Sequence, residues 1–104
     1  MPTGRIDVHT HGMSAEAAVE VMAHGGLKIT GGYKISVPWT PQAALEYMDR
    51  QQIAAQVISM PVSFAGSEKD PEFGVRVCRL INEGHAKLIA DHPGRFGAFA
   101  TLPA

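Results

Sequence analysis

The chain has one cysteine, Cys78, which excludes an internal disulfide and any thiolate cluster. A lone helical cysteine is expected to act as a small buried hydrophobe. Charge of either sign is scarce and balanced. Nine Lys and Arg face ten Asp and Glu, for a net charge of -1, and no basic block stands out, so nucleic acid and anionic membranes are poor partners. No apolar run approaches the ~20 residues of a membrane span. Asp7 stands early in the chain, where a signal peptide would be continuously apolar, so none is expected and a soluble, cytoplasmic protein is the default. There is no CxxC pair, no Gly-rich phosphate loop, no Ser–His–Asp arrangement, no internal repeat and no low-complexity segment. What remains is ordinary globular material. With 104 residues, 45% hydrophobic and 18% charged, the chain can build one packed domain over 1–104.

The pattern along the chain predicts six elements. Residues 5–11 read as a strand. Residues 15–24 read as a helix, with Ser14 as N-cap and Gly25-Gly26 as the stop. Residues 27–39 stay ambiguous, broken by Gly31-Gly32. Thr40-Pro41 places a capping hydroxyl before a proline at the first helical position, so a second helix runs from there to about Gln52. The run 54–60 reads as a buried strand ended by Pro61. Asp70-Pro71 repeats the cap-then-proline signal. The helix after it carries Phe73, Val77, Leu80, Ile81, Leu88 and Ile89 on one stripe and stops at His92, before Pro93. Residues 95–102 read as a third strand.

Strand, helix, helix, strand, helix, strand argues for an α/β fold with about three parallel strands and covering helices. In such sheets chemistry gathers at the C-terminal ends of the strands. His9 and His11 lie at the end of the first, Ser59 and Thr101 near the ends of the second and third. If the first strand alternates strictly, Asp7, His9 and His11 share one face, with Ile6 and Val8 on the other.

Spacing alone does not establish a metal site. Five histidines make ten pairs, and roughly 0.2 of these fall two apart by accident in a chain of this length, so position has to decide. His24 and His92 sit in last helical turns, where a partly charged imidazole suits the helix dipole. His85 is expected on the wetter side of its helix. His9 and His11 lack such an excuse: two imidazoles and a carboxylate in a sheet layer are costly unless paired or metal-bound. They are the candidate metal ligands. Asp7 is either an acceptor that orients an imidazole or a ligand itself. Trp39 either walls a substrate pocket or packs as a staple ahead of Thr40. Ser59 is a further pocket candidate, though strand-end hydroxyls such as Ser59 and Thr101 more often bond backbone.

The opening Ile6-Asp7-Val8-His9-Thr10-His11 resembles that of the amidohydrolase superfamily, and would also suit histidinol-phosphatase-like phosphoesterases. Trp39-Thr40-Pro41, Met48-Asp49, Gln56-Val57-Ile58-Ser59, Asn82-Glu83 and the long segment from His92 to Pro103 resemble the aminocarboxymuconate-semialdehyde decarboxylase group of that superfamily. The resemblance implies the N-terminal part of a TIM (β/α)8 barrel and a divalent metal, commonly zinc, held by His9 and His11. It also implies a small unsaturated or aromatic carboxylic acid as substrate. It assigns no catalysis to His92 or Arg95, whose segment looks structural. The family's further metal-binding histidine and aspartate, and its acid–base histidine, come from later strands. A complete barrel needs roughly 250 residues.

Two functional readings follow. The chain is the N-terminal segment of a metal-dependent decarboxylase or hydrolase, or it is a non-catalytic module that covers its open sheet edges by forming homo-oligomers. A metal phosphoesterase is the third and weaker alternative.

Overall fold

The computed structural model describes residues 4–23, 39–60 and 70–103. His24, the Gly25-Gly26 stop, the ambiguous stretch up to residue 38 and Pro61 lie outside the described residues. The elements come in the order β1 (Arg5–His11), α1 (Ala15–Ala23), α2 (Pro41–Gln51), β2 (Ile53–Ser59), α3 (Pro71–Asp91) and β3 (Phe96–Ala98).

Each helix begins where its cap stands. Ser14 Oγ accepts from the Ala17 N–H at 3.2 Å, Thr40 Oγ1 from Ala43 at 3.1 Å and Asp70 Oδ1 from Phe73 at 3.1 Å. These bonds satisfy N–H groups that a first helical turn leaves without partners. α2 closes on Gln52 in the left-handed conformation (φ 56°), and β2 starts one residue later. α3 ends at Asp91, with the His92 N–H bonded to the Leu88 carbonyl, ahead of Pro93.

The three strands are parallel and lie in the order β1-β2-β3. Adding each strand beside the last, always in the same direction, is how a barrel grows; a doubly wound sheet reverses at a switch point. Two apolar clusters fill the helix side. α1, α3 and Met60 supply Ala17, Val21, Phe73, Val77, Cys78 and Ile81, while Ala44, Met48, Ile58, Leu88 and Phe96 join α2 and α3 to the sheet. Cys78 is buried in the first of these, as expected for a small hydrophobe, and burial pushes its thiol above the ordinary value.

Three expectations are corrected. The third strand covers only Phe96–Ala98 of the expected 95–102, because Asn82 on α3 takes over the backbone of Thr101. Its amide donates to the Thr101 carbonyl at 2.9 Å and accepts from the Thr101 N–H at 2.8 Å. His85 is not on a wetter side but 3% exposed, because it falls four residues after Ile81 and three before Leu88, within the apolar stripe. The strict alternation of β1 is also interrupted. Asp7 pairs with Gln56 and Thr10 with Ile58, so three steps along β1 match two along β2. This is the count of a β-bulge, and it reverses which face the following residues use.

Candidate metal centre

Parallel strands bring their C-terminal ends to one edge of the sheet, and β1 delivers His9 and His11 there. Both rings are exposed, with centroids 5.3 Å apart and planes at 79°. Two imidazoles sharing one tetrahedral ion, each nitrogen 2.0–2.1 Å from it, put their centroids about 5 Å apart. The observed spacing is within that reach, and it is also that of an edge-to-face ring contact.

Hydrogen bonding selects the ring atom that faces outward. His11 Nδ1 lies 2.8 Å from the Ser59 carbonyl oxygen. A carbonyl only accepts, so Nδ1 carries the proton and donates. In the neutral ring Nε2 then holds the lone pair, free for a metal. Fixing the tautomer through the other nitrogen is how proteins prepare a histidine ligand. Ser59, a pocket candidate from the sequence, thus meets His11 through its main chain. No side-chain pattern signals such a role.

Asp7 leaves the histidine face. It stands level with Gln56 and His11 stands level with Ser59; these β2 residues are three apart and so point to opposite sides of the sheet. The Asp7 carboxylate accepts from the His9 main-chain N–H at 3.0 Å. Whatever support it lends His9 runs through the backbone, not through the ring.

Trp39 is half-buried, edge-on to Phe96 at 6.4 Å, and packed on the Ala44–Met48–Ile58 cluster. Its indole also covers Gly12, the residue after His11: a Cβ there would come within 2.5 Å of the ring. These are the contacts of a packing side chain. Thr101 is buried and held by Asn82 through its backbone. Arg95 donates to the Ala54 carbonyl and to Asp49, each at 2.9 Å, tying the turn before β3 to α2 and to the start of β2. The site elements that sequence reasoning misses are Gly12 and His85, whose Nε2 lies 2.7 Å from the Gly12 carbonyl. The signal for His85 was its place in the α3 stripe. Among the described residues, no group of three or more His, Cys, Asp or Glu side chains is placed to hold a metal.

No family model matches the chain. It is 33% identical over 100 residues to the decarboxylase yanB of Aspergillus niger, which covers 95% of this chain and 26% of that protein. The fold matches a crystal structure of an amidohydrolase II with a TM-score of 0.74 at 24% identity, over 93% of this chain and 31% of the other. It matches 5-carboxyvanillate decarboxylase LigW from Sphingomonas paucimobilis with a TM-score of 0.72 at 18% identity, over 96% and 35%. The chain thus spans about a quarter to a third of the length of these proteins. This chain is similar in sequence to part of a decarboxylase, and in fold to part of an amidohydrolase II and part of a second decarboxylase.

Proposed function

We propose that the chain is the metal-ligand-bearing N-terminal segment of a decarboxylase or hydrolase of the amidohydrolase superfamily, acting on a small unsaturated or aromatic carboxylic acid. The observation that carries this is the His9–His11 pair: two exposed rings 5.3 Å apart at the strand ends, one of them fixed in the tautomer that offers Nε2. His9 and His11 would hold a divalent ion, for which zinc is the first choice, with imidazole also suiting other transition ions. Such an ion supplies Lewis acidity toward a carboxylate, or a bound water of lowered pKa.

This chain's own residues prepare that chemistry. The Ser59 carbonyl holds the His11 proton on Nδ1. The Asp7 carboxylate steadies the bulged backbone at His9. The Trp39 indole packs over Gly12, the residue after His11. Ser59 and Trp39 belong to the rim on which a substrate would rest. A cytoplasmic location belongs to the same proposal; among the described residues no helix is long and apolar enough to cross a membrane.

The test is elemental analysis of purified protein after zinc loading and dialysis. With two protein ligands the binding is expected to be weak and exchangeable, so the dialysis buffer contains zinc. The parent chain is expected to hold zinc above the buffer level and the His9→Ala, His11→Ala double variant not to. Unchanged zinc content in the double variant refutes the assignment.

A second reading, the homo-oligomerising module, is favoured by a separate observation. Ile6 and Val8 on β1 and Phe99 and Leu102 beyond β3 are all more than half exposed, at the two outer strands of the sheet. Apolar side chains grouped at strands that are paired on one side only among the described residues favour association with a second copy.

A further inference from the structure

We infer that His85 is a positioning residue for the His9–His11 pair, acting through the main chain of Gly12; the inference rests on the metal reading above. His85 is almost fully buried on α3, and its Nε2 lies 2.7 Å from the Gly12 carbonyl. That oxygen can only accept, so the ring proton sits on Nε2. The opposite nitrogen, Nδ1, is buried and finds no partner among the described residues. Holding half an imidazole unsatisfied between Ile81 and Leu88 costs free energy that a leucine there would not. What the histidine provides in return is a donor aimed at one backbone carbonyl.

That carbonyl belongs to the residue following His11. The β1–β2 ladder ends at the His11–Ser59 pair, so Gly12 is the first residue beyond the sheet's own hydrogen bonds. Three contacts hold it and its neighbours. The Trp39 indole closes over Gly12 where a side chain would otherwise stand. His85 takes the Gly12 carbonyl. Gly84, the residue before His85, lies so close to Ser14 that a Cβ on it would be 3.0 Å from the serine Cβ and Oγ. The consecutive Gly84-His85 of α3 therefore grips the turn from Gly12 to Ser14. With the Ser59 carbonyl on the His11 ring and His85 on the adjoining backbone, both the rotation of the ring and the path of the chain beneath it are set. Partners behind a ligand matter: their loss typically lowers metal affinity about 10–100-fold.

The experiment measures cobalt(II) affinity by chelator competition, together with the ligand-field spectrum, for three variants. His85→Gln keeps a donor near the Nε2 position. His85→Asn places its donor near Nδ1 and cannot reach Gly12. His85→Leu keeps volume without a donor. The expected result is affinity close to the parent for His85→Gln, and about tenfold weaker binding with an altered spectrum for His85→Asn and His85→Leu. All three should retain the parent's far-ultraviolet circular dichroism. Parent-like affinity and spectrum in a folded His85→Asn or His85→Leu overturns the inference. So does loss of folding in all three, which would make His85 a residue of the fold and not of the site. The His9→Ala, His11→Ala variant is run alongside. If it still binds cobalt as the parent does, the metal reading itself fails; if it loses cobalt while the His85 series is silent, only the positioning role fails.

Discussion

Gly12 has no room for a side chain. A Cβ would stand 2.5–2.7 Å from three atoms of the Trp39 indole, and a rigid bicyclic ring on a packed cluster cannot swing aside as a lysine tip would. Gly12→Ala is expected to destabilise the fold by about 1–3 kcal/mol, the usual cost of overpacking. Trp39 is the only tryptophan in the chain, so its fluorescence in a urea titration reports both the lost stability and the displaced indole; a parent-like emission and midpoint would contradict the contact. His9 and His11 were legible in the sequence because their spacing and strand-end position are visible in one dimension. The partners that orient them were not. Ser59 and Gly12 act through carbonyl oxygens, which every residue possesses, and His85 approaches from 73 positions away.

Helix starts were the most legible elements, since a cap and the N–H it satisfies lie within three residues of each other. Asp70→Ala removes the acceptor for the Phe73 N–H and is expected to cost about 0.5–2 kcal/mol. The first turn of α3 should then show faster amide exchange than its centre. Equal exchange in variant and parent would mean the cap does not hold that turn. The β1 bulge, by contrast, left no mark on the sequence. Arg5 to His11 alternates as a regular strand would, and only pairing against β2 shows three steps matched to two. Register depends on where the neighbouring strand begins, and β2 begins directly after the left-handed Gln52.

Across the whole molecule, three parallel strands in sequential order leave β1 and β3 each paired on one side only among the described residues. With Ile6 and Val8 exposed along β1, the 104-residue chain is expected to associate at micromolar concentration in sedimentation velocity. Val8→Lys, which puts a charge on that edge, is expected to shift it toward monomer. A monodisperse parent monomer would count against the module reading. The same chain is expected to lack decarboxylase turnover, because two ligand side chains fall short of the three that a catalytic zinc ordinarily uses. Robust turnover by material of confirmed intact mass would contradict this.

The sequence by itself determined the α/β class, the order of six elements, their caps and the histidine pair. Each of these is written in neighbouring residues: a hydroxyl before a proline, a period of 3.6, an alternation of two. The tertiary structure alone decided which of those residues meet. It moved Asp7 off the histidine face, buried His85 in the α3 stripe and set the Ser59 carbonyl behind His11, because register and helix packing are properties of pairs of elements. A local pattern describes one element at a time and leaves such pairings undetermined.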